Sequence, residues 1–179
     1  MIPLNFRDIY RASHVKRWHV VNVHRQQTLA EHMWLVTMTA LEVSMRIKKE
    51  VEPGGIVAAL THDLPEVRYG DIPTPGKRML REQGRDLEKI ETELMSTLPV
   101  ASGMWADIIK LADLFEAMFY IEENGYGRHA ENVAHVTRFA LNDFVRSMQL
   151  KWPGHDWHET VNGMLSDVGS LPLQPMYGE

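Results

Sequence analysis

T-L-A-E-H-M-W-L-V-T-M-T-A-L-E-V-S-M-R-I-K-K, residues 28–49, decides the fold. Within it Leu29, Met33, Val36, Ala40, Val43 and Ile47 recur at steps of 4, 3, 4, 3 and 4, which is one apolar stripe of a helix. Thr28 and Glu31 form a capping-box signature, with the threonine as N-cap and the glutamate at the third helical position. His32 therefore falls at the first turn, beside the stripe.

The same reading extends downstream. Glu52-Pro53-Gly54-Gly55 breaks the chain, and a second helix follows through Ile56, Ala59 and Leu60 to His62 and Asp63. Pro65 lacks the N–H that would meet the carbonyl of Thr61, so this helix kinks or ends there. Y-G-D-I-P-T-P-G, residues 69–76, carries two prolines and two glycines and reads as a loop. Asp86 to Leu98 is a third helix through Leu87, Ile90 and Leu94. Trp105 to Glu123 is a fourth, with Asp113 in its middle, closed in C-cap manner by Asn124-Gly125-Tyr126-Gly127. His129 to Met148 and a short stretch from Trp157 to Val168 complete the helices, and the tail L-P-L-Q-P-M-Y-G-E is read as extended. Strand signals are weak and no repeat appears. The expected architecture is an all-α, single-domain helical bundle with the site between facing helices.

Composition narrows the function classes. At 179 residues the chain can fill one core and is too short for two ordinary domains. The absence of cysteine removes disulfides, thiolate zinc sites, iron–sulfur clusters and cysteine nucleophiles together. A net charge of −5 with interspersed signs argues against extended nucleic-acid contact. No apolar run is long enough to span a bilayer, and the start M-I-P-L-N-F-R-D-I-Y lacks the apolar stretch of a signal peptide. A cytoplasmic protein without a membrane partner is the expectation.

Chemistry concentrates in His32, the doublet His62-Asp63, and Asp113, an ordered H…HD…D set on segments that read as helix. Two imidazoles and two carboxylates suit one divalent transition ion such as Co, Mn, Zn, Fe or Ni. Such an ion binds phosphate oxygens and generates a nucleophile from water near neutral pH, which points to a metal-dependent phosphohydrolase. Asp113 is a core-facing acid in mid-helix, costly unless paired or bound to a cation. Glu116 and Lys110, three residues to either side, suggest a polar pocket there. His14, His19, His24, His129, His135, His155 and His158 lack such context and are assigned to surface, capping or oligomer contacts. His19 and His24 are the two exceptions that lie near the pocket.

Arg17-Trp18, T-L-A-E-H at 28–32, T-H-D-L-P-E-V at 61–67, G-D-I-P-T-P at 70–75 and K-L-A-D at 110–113 resemble the HD-domain nucleotide phosphohydrolases. Within that family the chain is similar to the bacterial 5′-deoxynucleotidases and the small phage dATP triphosphohydrolases. The resemblance runs from about Arg17 to Gly125, within one HD domain over 1–179 whose motif-bearing core is about 14–127 and whose C-terminal helices span 128–170. It implies His32, His62, Asp63 and Asp113 as metal ligands. Glu66, one helical turn after His62, matches the acid that positions or deprotonates the attacking water. Asp71 matches a second supporting acid. Arg17 matches the phosphate-contacting arginine, for which a planar fork of donors is suited. Lys77 and Lys110 are expected as further phosphate ligands, and Trp18 matches an aromatic that contacts the sugar or base.

Two reactions remain. A triphosphohydrolase directs water to the α-phosphorus and releases inorganic triphosphate, with room for an additional Mg on the triphosphate. A 5′-nucleotidase cleaves a monophosphate. A short link from Pro99 to Lys110, and Arg17-Trp18-x-Val20 with Val20 shaping a purine pocket, resemble the phage enzymes and favour dATP. A non-catalytic nucleotide-binding module is the third reading. The resemblance also implies a homo-oligomer, dimer or hexamer, and the host cytoplasm if the chain is phage-encoded. Trp105, Trp152, Trp157 and the many methionines are read as surface that an interface would cover.

Overall fold

The capping box forms as the sequence predicts: the Thr28 hydroxyl accepts from the Glu31 amide while the Glu31 carboxylate accepts from the Thr28 amide. Helix α2 then runs Leu29–Arg46 and buries Leu29, Met33, Val36, Ala40 and Val43. The structure is a computed structural model and describes residues 4–85 and 87–173. Around α2 it places α1 (Phe6–Arg11), α3 (Pro53–Thr61), a 3-10 turn (Leu64–Val67), α4 (Thr74–Glu82), α5 (Leu87–Leu94), α6 (Gly103–Asn124), α7 (Gly127–Lys151) and α8 (Trp157–Asp167). The described residues hold no strand, only isolated bridges between Lys16 and Thr28 and between Val23 and Gly125. The protein is all-α.

Helix α6 is central, packing against α7 on one side and α2 on the other, while α3 packs against both α2 and α6. The larger apolar cluster joins Val36, Ala40 and Val43 of α2 to Ile108, Leu111, Ala112 and Met118 of α6, Leu141 and Val145 of α7, and Val161 and Leu165 of α8. A smaller cluster gathers Leu4, Ala12, Leu29, Met33, Leu64 and Leu94 under the N-terminal segment. Helix α2 contributes to both, and His32 lies on it between Leu29 of the smaller and Val36 of the larger.

Several expectations are corrected. Pro53 and Gly54 do not break the chain: Pro53 opens α3, where its missing N–H is one of those with no helical partner. The loop at 69–76 ends at Pro73, because Thr74-Pro75-Gly76 is the first turn of α4 and a first-turn proline costs no hydrogen bond. Helix α1 carried no sequence signal beyond its own capping box of Asn5 and Asp8. The third helix shortens to Leu87–Leu94, with Asp86 outside the described residues. Gly125 is extended rather than left-handed, and it is Gly127, at φ +80°, that turns the chain straight into α7. Trp105 (3% exposed) and Trp157 (0%) are core residues rather than surface, and Trp152 is half-buried. Of the tail, Leu173 is buried and its amide donates to Asn162, and 174–179 lie outside the described residues.

Candidate metal centre

Three separate pieces of chain supply the H…HD…D set. His32 sits at the start of α2 and is fully buried. His62 is the C-cap of α3 and Asp63 the N-cap of the 3-10 turn, so the doublet lies where the helix stops rather than within it, as Pro65 requires. Asp113 projects from the middle of α6.

The four side chains converge. Nε2 of His32 is 3.4 Å from Asp63 Oδ2 and 3.4 Å from Asp113 Oδ1, and Nε2 of His62 is 3.5 Å from Asp63 Oδ2. One ligand atom each from His32, His62 and Asp113 lies within 4.8 Å of the others. Each imidazole is anchored through its other nitrogen: Nδ1 of His32 is 2.6 Å from Glu116 Oε2, and Nδ1 of His62 is 2.8 Å from the Ala59 carbonyl. An Nδ1–H donated to those acceptors leaves the Nε2 atoms as the ones that face the acids. Both Nε2 atoms are buried without a hydrogen-bond partner. Two orphaned imidazole nitrogens opposite two carboxylates fit a divalent transition ion.

Electrostatics follow from this crowding. Burial and Arg17 push the His32 imidazolium down, but Asp113, Asp63 and Glu116 outweigh them and hold its pKa at about 10. Burial would raise both aspartates, yet His62 and His32 keep Asp63 well below the usual carboxylate range, and His32 with Lys110 does the same for Asp113. Glu66 goes the other way. Burial first, then the charges of Asp63 and Asp71, raise it to about 8 against the pull of Lys77.

Glu66 is buried, but the α-helical spacing from His62 does not place it; the 3-10 turn does, with its amide bonded to the Asp63 carbonyl. Three cations pair with the site acids: Arg17 with Asp63 at 3.2 Å, Lys77 with Glu66 at 2.9 Å and Lys110 with Asp113 at 2.7 Å. Nε of Arg17 is buried and unpartnered. Asp71 is half-buried at the edge, 3.9 Å from His19 Nδ1. Trp18 adopts a left-handed φ of 62°, stacks on Tyr120 with centroids 5.8 Å apart and donates its indole N–H to Gln27. Val20 is 56% exposed. His24 stacks on Tyr126 instead of joining the acids. Gln27 and Tyr120, beside the site, carried no sequence signal. Glu116 carried one, its spacing from Asp113.

Comparison with known proteins identifies the family and the fold. A family model described as HD domain matches residues 10–143. A "dATP triphosphohydrolase" of Salmonella phage PMBT28 is 36% identical over 85% of this chain and 84% of its own. A 5′-deoxynucleotidase of Vibrio vulnificus (strain YJ016) is 31% identical over 81% of this chain and 94% of its own. Among solved structures, the HD phosphohydrolase of Cyanophage S-2L, bound to dA and one catalytic Zn2+ ion, superposes with a TM-score of 0.75 at 26% identity, covering 94% of this chain and 98% of that one.

Proposed function

This chain belongs to the HD domain family, and we propose that it is a metal-dependent deoxynucleoside triphosphate triphosphohydrolase that prefers dATP. The observation that carries the reaction class is the pair of orphaned imidazole nitrogens facing Asp63 and Asp113, with the buried Glu66 three residues beyond Asp63. The substrate follows from the phage relative and from the dA held by the Cyanophage S-2L structure.

His32, His62, Asp63 and Asp113 would hold one divalent transition ion (Co, Mn, Zn, Fe or Ni). Such an ion polarises phosphate oxygens and acidifies water. Glu66 takes the proton of the attacking water, a task suited to a carboxyl held near neutral pH. Asp71 supports it by keeping that carboxyl basic. The water oxygen bonds to the α-phosphorus, the bond to O5′ breaks, and O5′ takes a proton from solvent, giving deoxyadenosine and inorganic triphosphate. Arg17, Lys77 and Lys110, each paired with a site acid, supply the positive charge that phosphates would meet, and the unpartnered Nε of Arg17 adds a donor. A Mg on the triphosphate would offset the remaining charge. Trp18 offers its face to the nucleoside and Val20 borders it.

The whole span 1–179 acts as one HD domain, in the cytoplasm, that of a host cell if phage-encoded. Exposed Trp34, Met38 and Met45 on α2 support assembly as a homo-oligomer, which sedimentation velocity measures.

The test uses metal-depleted protein with dATP or dAMP, Co, Mn, Zn or Mg returned singly, and ³¹P NMR of the products. Triphosphate from dATP is the expected result. Orthophosphate from dAMP with dATP intact would move the assignment to a 5′-deoxynucleotidase, the activity of the Vibrio relative. Glu66→Gln should lower turnover by about 10²–10⁴-fold with metal still bound. A variant as active as the parent removes Glu66 from the chemistry.

A further inference from the structure

A continuous hydrogen-bond chain runs behind the metal centre. Trp18 Nε1 lies 3.3 Å from Gln27 Oε1, Gln27 Nε2 donates to Glu116 Oε1, and Glu116 Oε2 meets His32 Nδ1 at 2.6 Å. Gln27, Glu116 and His32 are all buried, and Glu116 lies 89 and 84 residues from the other two. No turn or helix end demands these contacts. Asp113, Glu116 and Tyr120 occupy positions i, i+3 and i+7 of α6, so one helical face offers a metal ligand, the anchor of another ligand, and the ring on which Trp18 stacks.

The chain has a direction. An indole N–H can only donate, so it turns the Gln27 amide oxygen toward Trp18 and the amide NH2 toward Glu116. Glu116 then accepts at one oxygen from Gln27 and at the other from the Nδ1–H of His32, which fixes the ring so that Nε2 is the nitrogen that faces the ion. A buried carboxylate hydrogen-bonded to an amide and an imidazole is costly to keep for packing alone.

We propose that Glu116, held in place by Gln27, is the positioning residue of the metal centre, fixing the tautomer and ring orientation of His32. The proposal rests on the metal-centre reading above. It adds two residues that hold the centre from behind rather than ligate.

The experiment measures Zn and Co affinity by chelator competition, together with the visible absorption of bound Co and the melting of the metal-free protein. Glu116→Gln must either set its NH2 against a donor (the His32 Nδ1–H or the Gln27 NH2) or push His32 into the other tautomer, and should weaken metal binding by about 10–100-fold with an altered Co spectrum. Glu116→Asp should recover part of that loss. Gln27→Met, close in size and unable to donate, leaves the carboxylate in place but unheld, and should shift affinity in the same direction by less. Glu116→Gln with the affinity and Co spectrum of the parent overturns the proposal. If Glu116→Gln does not fold, an unchanged Gln27→Met does so instead. Failure of the parent to bind any divalent ion would sink the metal-centre reading, a result distinguishable from parent-like variants.

Discussion

His32 is where sequence, packing and chemistry meet in one side chain. Its place in the first turn of α2 follows from the capping box, its burial from the stripe, and its charge from Asp113, Asp63 and Glu116. Held at about 10 without an ion, the imidazole carries a proton at neutral pH, and a metal must displace it. The sign follows: the proton competes below the raised pKa, so apparent affinity rises with pH and levels off only near that value. About a tenfold gain per pH unit is expected between pH 6.5 and 8.5, with close to one proton released per ion. Calorimetry in buffers of different ionisation enthalpy counts that proton, and a pH-independent affinity would show that His32 is neutral before metal arrives.

At the scale of elements, periodicity was readable wherever one face is buried. Helices α2, α6, α7 and α8 follow their apolar spacing because the core selects it. The H…HD…D set was legible for the same reason, since an acid beside Ala112 and a histidine beside Leu29 stand out against apolar neighbours. What did not show was what three-dimensional neighbours decide. Helix α4 buries no residue and begins with Thr74-Pro75-Gly76, so its own sequence says loop. Gln27 precedes the helix and is defined by contacts with Trp18 and with Glu116, 89 residues away. Gly55 is a further case. It reads as a breaker, yet in α3 its ideal Cβ would stand 2.8 Å from the buried Trp105 ring. Gly55→Ala gains up to about 1 kcal/mol of helix propensity but overpacks a rigid indole at about 1–3 kcal/mol, so a net loss near 1 kcal/mol is expected. Gly54→Ala meets nothing within 4 Å and should gain about 0.4–1 kcal/mol. Urea midpoints of the two variants should move in opposite directions, and a stabilised Gly55→Ala would mean that α3 does not rest on Trp105.

For the whole molecule, sequence reading gave the bundle but misplaced its large aromatics, because a tryptophan suits a core and an interface equally well by composition. Trp105 and Trp157 lock α6 and α8 into the larger cluster, while Trp34 faces outward. The site has the opposite energetics. It draws Asp63, Glu66, Asp113 and Glu116 together in a chain already at net charge −5, with Arg17, Lys77 and Lys110 as partial compensation. A dication there would relieve that repulsion and tie α2, the turn after α3, and α6 to one centre. Because unfolding would scatter these four side chains, an ion bound by them would add to global stability by mass action, about 2.7 kcal/mol at a free concentration one hundred times Kd. At roughly 2–4 °C per kcal/mol for a chain of this size, Tm should rise by about 5–10 °C with Zn, Mn or Co and fall back with chelator. Asp113→Asn should remove most of that rise without changing the helical circular dichroism of the metal-free protein. A Tm indifferent to metal in the parent would mean the four ligands do not close on an ion, whereas an undiminished rise in Asp113→Asn would put the ion elsewhere.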